Sequence, residues 1–106
     1  MTKEIRKTTV ALVDDHPVFR KGLRMLLEDE PDFDVIGEAA DGVQALELIN
    51  ELQPEIAVLD ISMPGLNGIE VAERISASCP ETRIVALSIH SEKRFVEERV
   101  PSGEKI

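Results

Sequence analysis

The 106 residues suffice for one small domain, and 42% hydrophobic with 31% charged residues is the balance of a globular chain. The formal net charge is −9, twelve Lys and Arg against twenty-one acids, which argues against a grip on nucleic-acid phosphates and suits a basic partner surface. Met1-Thr2-Lys3-Glu4 lacks the apolar stretch of a signal peptide, no run is long enough to span a membrane, and the lone Cys79 has no internal disulfide partner. A reduced, cytoplasmic setting fits all three.

Residues 1–8 are polar and read as an N-terminal arm. Thr9 to Val13 forms a first strand, an apolar run that ends in Asp14-Asp15. Pro17 opens a helix whose apolar positions are Phe19, Leu23, Leu26 and Leu27, with Arg20, Lys21 and Arg24 on the other side. Glu30-Pro31-Asp32 ends it. Phe33, Val35 and Ala39 alternate with Asp34 and Glu38, the pattern of a half-exposed edge strand. Asp41-Gly42 is a turn or cap before a second helix bearing Ala45, Leu46, Ile49 and Leu52, which Gln53-Pro54 breaks. Ile56-Ala57-Val58-Leu59 is a third strand, ending in Asp60. Residues 62–68 form a loop. Ile69, Ala72 and Ile75 mark a third helix, closed by Ser78-Cys79-Pro80. Ile84 to Leu87 is a fourth strand ending in Ser88, and Ser91 caps a fourth helix that includes Phe95 and Val96. With only three Phe, aliphatic side chains must build the core.

This strict alternation predicts an α/β protein, a flavodoxin-like doubly wound parallel sheet in the order 2-1-3-4 with helices on both faces. Ligands of such sheets bind beyond the carboxyl ends of the strands, at the switch point between strands one and three. Asp14, Asp15 and Asp60 sit at those two ends. Three carboxylates brought together repel and raise one another's pKa values unless a cation lies among them. Hard oxygen ligands with little thiol or imidazole favour magnesium (Mg2+), which binds readily beside a phosphoryl group.

Plainer readings exist for each residue. Asp14 and Asp15 could be a turn pair or cap the helix that Pro17 opens, and Asp60 could cap a turn. Ser88 at a strand end could be only a turn former. His16 reads as a surface or capping residue rather than a metal ligand, since one imidazole among carboxylates is not a transition-metal set. Gly42, Gly65 and Gly68 are turn glycines, Cys79 is inert, and the Arg20, Lys21 and Arg24 face is solvated or steers an acidic partner.

Asp14-Asp15-His16-Pro17 followed by Arg20-Lys21-Gly22-Leu23, and the loop Leu59-Asp60-Ile61-Ser62-Met63-Pro64-Gly65-Leu66-Asn67-Gly68, resemble the receiver domain of two-component response regulators. The resemblance runs from about Thr9 to Glu98. It points to the subfamily usually fused to a C-terminal helix-turn-helix, LuxR-type DNA-binding domain. It implies that Asp60 is the phosphoacceptor, that a sensor histidine kinase is the donor, and that Mg2+ is held by Asp15, Asp60 and the Ser62 backbone carbonyl, with Asp14 supporting through water. It also implies that the Ser88 hydroxyl contacts the phosphoryl group, and that self-catalysed phosphorylation and dephosphorylation is the extent of any enzymatic activity. A phosphohydrolase of the aspartyl-nucleophile type would need an acid at position 62, where Ser62 stands.

The family continues with a fifth strand, bearing a lysine that contacts the phosphoryl group, and a fifth helix. Here Val100-Pro101-Ser102-Gly103-Glu104-Lys105-Ile106 reads as an irregular tail, and Lys105 does not match that lysine. The expected organisation is therefore an arm (1–8), a truncated receiver body (9–99) and a tail (100–106), with no DNA-binding domain in these residues. Two consequences are expected. One is an alternative role as a pseudo-receiver, an interaction module without productive phosphorylation. The other is an open edge on strand four, covered by a second copy in a homodimer through the Ile84–Val100 region, the alternatives being a flexible tail folded over the edge or a partly molten C-terminal third.

Overall fold

A computed structural model describes the backbone at residues 6–60, 68–89 and 94–99, and side chains at 6–60 and 69–87. The elements are β1 (Thr8–Val13), α1 (Pro17–Glu28), β2 (Phe33–Ala39), α2 (Gly42–Leu52), β3 (Ile56–Asp60), α3 (Gly68–Ser78), β4 (Arg83–Ile89) and β5 (Arg94–Arg99). They form one sheet, ordered β2-β1-β3-β4-β5. The first four strands are parallel, so the doubly wound order 2-1-3-4 stands as expected.

The sheet buries both faces because its central strands carry unbroken apolar runs, Val10 to Val13 in β1 and Ile56 to Leu59 in β3. Ala11, Val13, Ala57, Leu59 and Ile84 lie on one face and pack against Ala45 and Ile49 of α2 and Val71, Ala72 and Ile75 of α3. Val10, Leu12 and Val35 lie on the other, under Leu23 and Leu27 of α1. Each fully buried Leu or Ile contributes roughly 1.5–3 kcal/mol, so Leu59, Ile49 and Ile75, exposed by 1% or less, are main supports of the fold.

Helix ends follow local chemistry. Pro17 stands in the first turn of α1. Asp41 caps α2 by accepting the Gln44 amide at 2.8 Å, and Gln44 Oε1 accepts the Ala40 amide at 3.1 Å. Gln53 closes α2 at φ 47°, a left-handed residue placed just before Pro54. Gly37 on β2 lets α2 pack closely, since a Cβ there would come within 2.8 Å of Leu48 Cδ1 and make the Leu48 side chain shift.

Two expectations are corrected. Leu26, assigned to the buried face of α1, is 70% exposed. Leu23 and Leu27 already cover the sheet, and a neighbour in sequence is turned about 100° away from Leu27. The second concerns the region given to a fourth helix. Arg94–Arg99, including Phe95 and Val96, is a strand that runs antiparallel to β4, pairing Ile84 with Arg99 and Ile89 with Arg94. Ser91, the expected cap, lies outside the described residues, as does the tail from Val100. A strand satisfies the backbone groups along the β4 edge, and Phe95 and Val96 favour extended structure, so edge pairing overrides the local helix signal. Strand four is therefore not an open edge. The surface that a second copy was expected to cover is paired within the chain.

Candidate functional site

The acidic site is built by register. Val13 pairs with Leu59, so the next residues, Asp14 beyond β1 and Asp60 at the end of β3, leave the sheet side by side. The burial that makes the strands also buries the acids: Asp14 is 2% exposed and Asp60 1%. Asp15 is half-buried and His16 exposed. One ligand atom from each of Asp14, Asp15, His16 and Asp60 lies within 4.8 Å of the others.

Asp14 Oδ1 accepts the His16 amide at 2.6 Å. The His16 ring turns toward the acids, with Nδ1 at 3.0 Å from Asp15, 3.1 Å from Asp14 and 3.6 Å from Asp60. Although His16 stands at the N-cap position of α1, its side chain caps no helical amide. The expectation of a surface residue holds; the expectation of a capping side chain does not, because the carboxylates attract the ring more strongly than the helix amides do. Burial pushes the Asp14 carboxyl above its ordinary range; the His16 amide partly offsets this and the Asp60 charge adds to it. The His16 imidazole is raised in turn, first by its hydrogen bond to Asp14 and then by the Asp15 charge.

Hard divalent cations fit this donor set. Three carboxylates supply oxygen ligands; among the described residues Asp14 Oδ2 is buried without a hydrogen-bond donor, and the buried Asp15 Oδ1 faces the exposed His16 ring at 3.0 Å. Buried oxygens without a donor are costly unless something positive approaches them.

The structure thus brings together Asp14, Asp15 and Asp60. Ser62 and the Met63-Pro64-Gly65 loop lie outside the described residues. Ser88 is placed by its backbone in β4, opposite Phe95 of β5, with its side chain outside the description. Reasoning from sequence missed Arg20, Arg24 and Glu38. Arg20 and Arg24 were assigned to a solvated helix face and Glu38 to the outer face of an edge strand, yet all three are half-buried in one network. Arg20 Nε donates to Glu38 Oε1 at 2.7 Å, Arg24 Nη1 donates to Glu38 Oε2, and Arg20 Nη1 donates to the Asp14 carbonyl. Arg24, then Arg20, hold the Glu38 carboxyl below its ordinary range. No spacing along the chain signals a contact between residues eighteen apart on different elements.

A doubly wound sheet with buried acids at the β1/β3 switch point has the fold and pocket of a receiver domain. The response regulator receiver domain family matches residues 10–104, and the chain belongs to that family. It is 39% identical over 88 residues to the nitrate/nitrite response regulator protein NarL of Escherichia coli K12, covering 83% of this chain and 41% of that protein. Two solved structures are also similar. The receiver domain of the NarL response regulator from Mycobacterium tuberculosis is 41% identical with a TM-score of 0.76, over 82% of this chain and 70% of that one. A LuxR-family response regulator from Aurantimonas is 39% identical with a TM-score of 0.75, over 80% and 61%. The chain spans less than half the length of the curated relatives it matches. No described helix is long and apolar enough to cross a membrane.

Proposed function

We propose that this chain, through a receiver body at residues 9–99, accepts a phosphoryl group on Asp60 from a sensor histidine kinase in the cytoplasm, and that the modified state controls a transcriptional output. The observation that carries the reading is the placement of Asp60. It is a 1%-exposed carboxylate at the carboxyl end of β3, with a ligand atom within 4.8 Å of those of Asp14 and Asp15. In the transfer, an Asp60 carboxylate oxygen attacks phosphorus, the P–N bond to the kinase imidazole breaks, and that imidazole leaves with its electron pair and takes up a proton. A carboxylate is a weak nucleophile, so the rate must come from alignment and from charge stabilisation of the phosphoryl oxygens. Asp15, Asp60 and the Ser62 carbonyl would hold Mg2+, with Asp14 supporting through water. When bound, that ion supplies neutralisation of phosphoryl charge. The Ser88 hydroxyl would donate to the phosphoryl group once it is in place.

β5 favours a second reading. In the receiver family the fifth strand carries a lysine that contacts the phosphoryl group, whereas Arg94–Arg99 is antiparallel to β4 and contains no lysine. A pseudo-receiver, an interaction module that is not productively phosphorylated, is consistent with that. Incubation with acetyl phosphate and Mg2+ followed by intact-mass analysis separates the two. The phosphoacceptor reading expects a single added phosphoryl group that is lost in Asp60→Asn. An unmodified wild-type chain establishes the pseudo-receiver, and modification elsewhere than Asp60 overturns the site assignment.

A further inference from the structure

The turn that carries the acids is held from outside by one side chain. Asp14, Asp15 and His16 lie between β1 and α1, so neither strand nor helix hydrogen bonding alone fixes their positions. The Asp14 amide donates to the Ala39 carbonyl at 3.0 Å, and its carboxylate accepts the His16 amide at 2.6 Å. The remaining group of that residue, its carbonyl, accepts from Arg20 Nη1. Arg20 is aimed by Glu38, which accepts its Nε at 2.7 Å.

Glu38 reaches α1 because of an irregularity in β2. Val10 pairs with Val35, but Ala11 pairs with Gly37, so Ile36 is an extra residue in the ladder. The shift reverses the phase of everything after it. Glu38 consequently pairs with Leu12 and shares the α1 face with it, while Ala39 joins the core under α2. Had the pairing continued in register from Val35, Gly37 would take that face and Glu38 would point away from Arg20. A guanidinium meets two separated acceptors through different nitrogens of one rigid planar fork, whereas an ammonium's donors all radiate from a single nitrogen on a flexible stem.

We infer that Arg20, oriented by Glu38, is a positioning residue of the acidic site: by holding the Asp14 carbonyl it fixes the Asp14–His16 turn so that the Asp14 and Asp15 carboxylates converge on Asp60. Its consequence for cation and phosphoryl handling rests on the phosphoacceptor reading; the holding of the turn does not. Arg24 shares Glu38 but turns its Nε to Glu28 at 2.9 Å, while the Asp14 carbonyl is met by Arg20, which makes Arg24 the matched control.

The test compares Arg20→Lys with Arg24→Lys. Both keep the charge and lose the fork. Mg2+ affinity is measured by titration calorimetry, and exchange of the His16 amide is followed by NMR in Mg2+-free protein. Arg20→Lys should weaken Mg2+ binding about tenfold, the lower end of what loss of a ligand-orienting partner costs, and should speed His16 exchange. Arg24→Lys should leave both near wild type while lowering stability comparably. Equal responses in the two variants, or wild-type behaviour of Arg20→Lys, overturn the inference. If Arg20→Lys does not fold, Glu38→Gln carries the same expectation at smaller size. A wild-type chain that binds no Mg2+ overturns the cation-binding reading, and His16 exchange then still decides the role of Arg20.

Discussion

The two ends of the sheet treat their polar groups in opposite ways. At the end where β3 and β4 begin, buried and half-buried groups are matched. Thr82 Oγ1 donates to the Pro54 carbonyl at 2.7 Å, the Glu55 amide donates to Thr9 Oγ1 at 2.9 Å, and the Arg83 amide donates to the Glu55 carbonyl at 2.9 Å. Arg6 meets the Glu55 carboxylate at 3.1 Å. At the opposite end, where β1 and β3 finish, two nearly inaccessible carboxylates stand together, Asp14 Oδ2 is buried without a hydrogen-bond donor among the described residues, and Asp15 Oδ1 meets the exposed His16 ring. The first arrangement stabilises the fold. The second costs stability and is tolerable where charge is to be bound rather than hidden. One sheet therefore has a structural end and a chemical end, and the difference can be tested.

The largest effect is expected at the chemical end. Asp60→Asn should abolish phosphoryl acceptance outright while leaving circular dichroism and cooperative unfolding intact, since an amide of the same shape replaces the carboxylate. Loss of the fold in that variant would show that Asp60 is structural, and the contrast between the ends would fail. At the structural end, Thr82→Val removes the donor to a buried carbonyl and should cost about 1–3 kcal/mol in urea unfolding, with little change in Mg2+ binding. A neutral result would mean that the Pro54 carbonyl is satisfied by other means.

Asp14→Asn should act in the opposite direction. It keeps the acceptor for the His16 amide and removes a charge that burial and Asp60 disfavour. In Mg2+-free buffer its melting temperature should rise by a few degrees, of order 1 kcal/mol for a domain of this size. Excess Mg2+ should narrow or reverse that gap, because ligand binding stabilises the wild type by linkage. A less stable Asp14→Asn chain without Mg2+ would show that the acids are matched rather than frustrated.

The smallest effect is a pH dependence beside the site. The Arg24 and Arg20 guanidiniums lower the folded-state pKa of Glu38, and Glu28 is the other carboxylate facing Arg24. A depressed carboxyl contributes stability that is fully present above its unfolded value and is lost as pH falls through its folded value. The stability difference between wild type and Glu38→Gln should be flat near neutrality and shrink on acidification below the ordinary glutamate range. A difference that persists unchanged in acid would mean that shape, not charge, holds Glu38.

Much of this architecture was legible in the residues. Val10 to Val13 and Ile56 to Leu59 are short unbroken apolar runs, as a strand buried on both faces requires, and each ends in acid. The helix starts at Pro17 and Asp41 and the break at Gln53-Pro54 were readable because caps and proline act within a few residues. The Arg94–Arg99 segment was misread because a short stretch with apolar neighbours and flanking charge fits either period. Its state depends on the unpaired β4 edge beside it, which no local pattern encodes.

By itself, then, the sequence determined the alternation of strands and helices, the parallel order, and the convergence of Asp14, Asp15 and Asp60, because periodicity and strand-end position are local properties that topology rules carry into space. Tertiary structure alone decided that β5 pairs with β4, that Leu26 faces solvent, and that the extra residue in β2 turns Glu38 toward Arg20 and so links a second strand to the acidic turn. The physical reason is common to all three. Each depends on which backbone edge or side chain is left without a partner after the rest of the chain has packed, and that competition is resolved only between elements distant in sequence.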